Sequence, residues 1–168
     1  MCIRDRDATV DGVEIESLLR PVRGIQIGAN LAYLDAVYKN YTTALAPGNV
    51  TFDASGNRLN LAPKWAYSAF VDLDLPVGSG TIFGRAEYNH RGRQYFTAAN
   101  SGLDQQSPYG MVNASLGYEF GESGFRIMGF GRNLTDKEYL TSTASFASGI
   151  VGRVGEPRTY GLQVSVSY

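Results

Sequence analysis

Few residues in this chain have the types and spacing that chemistry requires. Asp72 and Asp74 alternate on one side of a strand pattern, as paired carboxylates do in acid and base catalysis, but no nucleophile or base partner accompanies them. His90 closes another strand pattern beside a long loop, where an imidazole could touch a metal chelate, although a lone histidine at such a rim is more often simply solvated. Asp53-Ala54-Ser55-Gly56-Asn57 imitates a calcium loop without its full spacing or its terminal Glu. Sequons at Asn40, Asn49, Asn113 and Asn133 are read as chance matches. No GxSxG, Walker loop, GxGxxG or CxxC is present. With Cys2 as the only cysteine and His90 as the only histidine, an internal disulfide and a His-rich metal site are excluded. The expectation is a protein that is not an enzyme, with no catalytic residue, no metal site and no cofactor.

The chemistry-poor sequence shifts attention to the elements that carry it. The chain has 168 residues, 43% hydrophobic, 12% aromatic and only 18% charged, with 20 glycines. That length suits one domain, and the aromatic content argues against disorder. A net charge of -1 gives no electrostatic footprint for nucleic acid. No stretch approaches the run of about 18 apolar residues that a spanning helix needs. A transmembrane barrel remains open, because it crosses with alternating strands of about 10 residues and an unremarkable mean hydropathy.

Alternation with period two is the dominant pattern. Tyr160, Leu162, Val164, Val166 and Tyr168 share one face, with Gly161, Gln163, Ser165 and Ser167 on the other. The same holds for residues 109 to 120, where Val112, Ala114, Leu116, Tyr118 and Phe120 oppose Asn113, Ser115 and Glu119. Trp65 to Leu75 alternates with Phe70 as the exception, and residues 81 to 90 and 25 to 33 follow the rule. Residues 13 to 20 are weaker, and 125 to 134 have apolar side chains on both parities. Seven strands are expected.

Their connections alternate strictly between short and long. PVRG at 21 to 24, PVGSG at 76 to 80 and GES at 121 to 123 are tight turns, whereas 39 to 63, 91 to 108 and 135 to 157 are long loops. An up-and-down antiparallel sheet would then carry all its short turns at one end and all its long loops at the other, the asymmetry of outer-membrane barrels. Tyr33, Tyr67, Tyr88, Tyr109, Tyr118 and Tyr168 fall near strand ends, as in interfacial aromatic girdles, though strands favour Tyr in any case.

RNLTDKEY at 132 to 139, a long loop, and then GEPRTYGLQVSVSY at 155 to 168 resemble the C-terminal end of a TonB-dependent outer-membrane receptor. The motif residues are Arg132, Asn133, Leu134, Asp136, Tyr139, Gly155, Glu156, Pro157 and Arg158. GVEIESLLRP at 12 to 21, NLAYLDAVY at 30 to 38 and NRLNLAPKWAYSAFVDLDLP at 57 to 76 sit where that family would have them, so the similarity runs from about residue 11 onward. The resemblance implies an all-β fold, an antiparallel up-and-down transmembrane β-barrel of about 22 strands in the outer membrane of a Gram-negative bacterium, plugged by an N-terminal domain and driven by the TonB complex. This chain would supply the last seven strands as residues 11 to 168, with 1 to 10 an irregular or non-native remnant. MCIRDRDATV has neither the apolar core nor the cleavage site of a signal peptide, and no plug or TonB box is recognisable. An odd number of up-and-down strands cannot close antiparallel, and open edges in lipid cost several kcal/mol per unpaired group. The expectation is a partial reading frame, with Met1 to about Arg6 foreign to the natural gene.

Within that frame, Tyr160, Leu162, Val164, Val166 and Tyr168 are similar to the terminal-strand signal read by the barrel assembly machinery, besides facing outer-membrane lipid. Arg132, Asn133, Asp136 and Arg158 are expected to serve a turn, where Asn and Asp bond local backbone. Glu14, Glu16, Arg20, Asp72, Asp74, Arg85, Glu87 and Glu119 would line the lumen, as a solvated inner wall, a substrate path or a plug contact. The parent is expected to import a scarce nutrient, such as a ferric siderophore, a cobalamin-like compound or a glycan, selected by the long loops and the plug. Two other readings stay open: a small stand-alone barrel of eight strands, structural or adhesive and closed with help from the first ten residues, and a soluble all-β binding module.

Overall fold

The computed structural model describes residues 6–45, 50–121, 124–146 and 148–167; Cys2, Glu122, Ser123 and Tyr168 lie outside them. Seven long strands form one antiparallel sheet in chain order: β1 (Arg6–Val22), β2 (Ile25–Leu45), β4 (Trp65–Val77), β5 (Gly80–Arg91), β8 (Tyr109–Phe120), β9 (Phe125–Arg132) and β12 (Thr159–Val166). The loops add β3 (Val50–Asp53) on the tip of β2, a two-residue pairing of β6 (Gln94–Tyr95) with β7 (Gln105–Gln106), and a hairpin of β10 (Leu140–Phe146) with β11 (Gly149–Val154). Each expected strand is present, and the 135 to 157 connection holds a hairpin rather than loop alone. In the tight turns after β1 and β4, Gly24 and Gly78 adopt φ of 81° and 63°, a region open mainly to glycine.

β1 starts well before the expected Val13. Residues 6–10 pair within 36–41 of β2 rather than forming an irregular stretch, because the 21-residue β2 offers them a ladder of backbone partners. They lengthen β1 and supply no eighth strand, so the closed eight-stranded alternative fails. The sheet is open, with β1 and β12 as its edges.

Cross-strand register lines the side chains into rows, since directly paired residues of an antiparallel ladder share a face. One row runs Leu19, Ile27, Val71, Ala86, Ala114, Gly131, Tyr160; the next runs Ile25, Leu73, Gly84, Leu116, Gly129, Leu162. This face is apolar across the sheet and no second layer among the described residues covers it: Leu116 is 59% and Leu162 78% exposed. A soluble module would have packed these residues into a core, so that alternative also fails.

The apolar band is bounded by aromatics. Tyr33 packs on Trp65 at 4.7 Å and Tyr67 stacks on His90 at 4.4 Å near the long loops, while Tyr118, Phe120 and Phe125 touch near the short turns. From Trp65 to Leu75 the strand rises about 33 Å, or about 25 Å along the normal at a tilt of about 40°, the height of a barrel's lipid-facing band. Beyond it, Asp11 and Asp35 pair on the same face, so β1 and β2 continue past the end of the apolar band.

Candidate ligand-facing wall and loop cap

On the opposite face the rows are polar. Arg85 reaches both carboxylate oxygens of Asp72 at 3.1 Å and Glu87 at 3.3 Å, and lies 4.0 Å over the Phe70 ring. Glu87 accepts from Asn113 at 2.8 Å and from Asn89 at 3.2 Å, and Asn113 accepts the Asn133 backbone N–H at 2.9 Å. A polar chain therefore links β4 to the β9 loop. Nearer the short turns Arg126 pairs with Glu119 at 3.0 Å. The pairing register puts Glu14, Glu16, Asp72, Asp74, Arg85, Glu87 and Glu119 on this side, and Arg20, at an irregularity of the β1 ladder, donates to Gln26 of the same face at 3.0 Å. Phe70, the exception to the pattern, covers Gly28 here, and Phe130 covers Gly161. That also assigns the ambiguous strand: Arg126, Met128, Phe130 and Arg132 face the polar side, Ile127, Gly129 and Gly131 the apolar one.

The family motif converges at the loop end. Asn133 is buried with φ 48°; its Nδ2 donates to the carbonyls of Lys137 and Glu156 at 3.0 Å, and its Oδ1 accepts the Lys137 N–H at 2.9 Å. Asp136 takes φ 51° and pairs with Arg158 at 3.4 Å. The Leu134 N–H donates to Val112 O at 2.8 Å, and Leu134 covers Gly131. Tyr139 stacks on Tyr109 at 4.7 Å and lies over Gly155, where a Cβ would fall inside its ring. Pro157 follows Glu156 before β12 begins. These residues form a bracket joining the end of β9 to the start of β12. Tyr109 belongs to this polar-side stack and not to the outer aromatic row, a correction that follows from its pairing with Arg91.

The other two long loops are clasped to each other. The Asn57 amide donates to Ala98 O at 2.8 Å, the Asn100 amide to Arg58 O at 3.0 Å, and Arg58 N–H returns to Asn100 Oδ1 at 2.8 Å. Beneath them Tyr41, Ala54 and Ala98 form a small core with Tyr38 and Phe52. Sequence reasoning missed this clasp, since nothing in two separate loops signals that they meet. The imitation calcium loop is its turn: Asp53 Oδ1 accepts the Ser55 amide at 2.9 Å and the Ser55 hydroxyl at 2.6 Å, which holds the Asp53 carboxyl below its ordinary pKa. His90 lies in the outer aromatic row against Tyr67, and Asp72 serves Arg85, so neither forms a reactive pair.

Between the wall and the cap lies an open cavity of about 700 Å³, reached by side chains of β1, β5 and β8 and by Gln94. At its edge Leu61 is held at φ 55°, its N–H donating to Tyr95 O at 2.8 Å. The arrangement can bind a polar molecule by hydrogen bonds and charge. Among the described residues no group of His, Cys, Asp and Glu could hold a metal ion.

Residues 4–134 match the family model described as TonB dependent receptor-like, beta-barrel, beginning inside the stretch that sequence reading set apart as a remnant. The ferric yersiniabactin uptake receptor FyuA from Yersinia pestis superposes with a TM-score of 0.81 at 24% identity, over 95% of this chain and 23% of that one. The siderophore receptor PiuA from Acinetobacter baumannii gives 0.74 at 22% identity over 95% and 22%, and BauA, the ferric preacinetobactin receptor of the same organism, 0.72 at 21% over 98% and 23%. This chain thus spans under a quarter of each receptor, and likeness at these identities establishes the fold.

Proposed function

Because the chain belongs to the TonB-dependent receptor β-barrel family, we propose that it forms the C-terminal wall and three surface loops of a receptor importing a ferric siderophore. Such barrels are outer-membrane proteins of Gram-negative bacteria, and the family consists of transporters, not enzymes. The observation that carries the reading is the two-faced sheet: an uncovered apolar band about 25 Å tall opposite a charged wall. Only lipid outside and a wet lumen inside make both faces favourable. The siderophore receptors among the solved relatives support that cargo over a cobalamin-like compound or a glycan.

The partners follow from the same reading. Outer-membrane lipid contacts the apolar rows; a plug domain and the TonB complex act through the rest of the receptor; the free edges of β1 and β12 pair with its other strands. Tyr160, Leu162, Val164 and Val166, with Tyr168 beyond the described residues, would be read by the barrel assembly machinery. The test is radio-iron uptake by a receptor-deficient Gram-negative strain expressing the full-length receptor that contains this segment. Uptake from a ferric siderophore that collapses with the proton gradient is expected; uptake of only cobalamin or glycan, or none, refutes the reading. Deleting Tyr168 should lower surface levels, and unchanged levels would remove the assembly role.

A further inference from the structure

Building on the receptor reading, we propose that the outward face carries a site for one phosphate-bearing glycolipid of the outer leaflet, with an acyl chain in an apolar groove and a phosphate on Lys64. The groove has a volume of about 320 Å³ and is lined by Val13, Ile15, Leu31, Tyr33 and Trp65, none of them charged. The pairing register explains its shape. Val13, Tyr33 and Trp65 form one row, Ile15, Leu31 and Tyr67 the next, and then Ser17, Ala29 and Ala69 lower the surface toward the middle of the band. The groove therefore opens in the direction that a lipid chain takes.

The charge at the mouth of the groove decides which lipid fits. Lys64 holds its ammonium 5.4 Å from the centroid of the Tyr33 ring, at the long-loop end of the outward face. The ring meets one side of the ammonium and leaves N–H donors free. Lys64 enters no ion pair among the described residues, whereas Asp35 is held by Arg58 at 3.5 Å. Asp11, the carboxylate opposite Asp35, lies on β1, two strand spacings from β4 or about 10 Å between backbones. The open edge of the sheet does not explain the free ammonium, because β4 is third from that edge and a strand added to β1 extends the sheet in its own plane. An unmatched cation at headgroup level attracts an anion, and the long loops place this end outside the cell. There the outer membrane presents phosphate on a glycolipid, which supplies both the anion and the chain.

The experiment uses the purified full-length receptor in detergent, with bound lipid counted by native mass spectrometry after addition of diphosphoryl lipid A, its dephosphorylated form or phosphatidylglycerol. Diphosphoryl lipid A should be retained about fivefold more than the dephosphorylated form, and more than phosphatidylglycerol, whose phosphate diester carries a single charge. Lys64→Gln should abolish the preference for phosphate. Leu31→Trp, which fills the groove from the lipid side, should lower retention of lipid A at unchanged thermal stability. Lys39→Gln, at an exposed lysine farther along β2, should keep both retention and preference. Equal retention of the three lipids, a preference that survives Lys64→Gln, or one lost equally in Lys39→Gln would overturn the proposal. Iron uptake by the wild-type receptor, measured alongside, reports on the receptor reading separately: its persistence with no lipid preference would sink the glycolipid site alone.

Discussion

Between Trp65 and Leu75, β4 buries no side chain completely; a short distance away Tyr41, Ala54 and Ala98 close a core within the loops. Glycines aside, every buried residue described sits at the loop end: Ala36, Tyr41, Ala54, Gln94, Ala98, Asp104, Gln106, Tyr109 and Asn133. The span leaves its apolar face to be stabilised by its surroundings, so its residues need only alternate. The cap must satisfy its own backbone, so it uses short polar side chains in left-handed conformations: Asn100 at φ 52°, Asn133 at 48°, Asp136 at 51°. The lesson is that the solvent, not the fold, decides what a residue must do here.

The comparison breaks most readily in the span. Leu162→Arg in the full-length receptor should cost about 2–4 kcal/mol in lipid vesicles, read from unfolding in denaturant, because a guanidinium would enter the lipid-facing band. Its neighbour Gln163→Arg, on the lumen side, should be near neutral. Equal effects would end the distinction between faces.

In the cap, Asn133→Ala removes the side-chain hydrogen bonds to Lys137 and Glu156 and places alanine at a left-handed φ, for a loss of about 2–3 kcal/mol. Protease cleavage within 135–157 should accelerate, and Asn133→Gly should recover only the backbone part. Asn100→Ala should cost about 1–2 kcal/mol and speed hydrogen exchange at the Arg58 amide, which donates to its side chain. Unchanged exchange there would mean that the two loops are not clasped.

Smaller effects sharpen the picture. Arg85→Gln should cost under about 1 kcal/mol, since the pair with Asp72 is half exposed. Asp53 has its pKa lowered in the folded state by Ser55, so its contribution is present above the ordinary carboxylate value and lost as pH falls through the depressed one. Exchange at the Ser55 amide should therefore quicken below about pH 4 relative to neighbouring amides, and Asp53→Asn should remove that dependence.

The sequence by itself determined the seven strands, the faces of all but 125–134 and the sorting of short from long connections, because alternation is a local property and lipid asks nothing more of an outward side chain. It also marked Asn133 and Asp136 as turn residues. Only the tertiary structure decided that Asn57 and Asn100 lock two loops together, that Tyr109 turns inward to Tyr139, that Phe70 covers Gly28, and that residues 6–10 join β1. Each depends on a partner distant in sequence, and long-range pairing leaves no mark on the spacing of either partner alone.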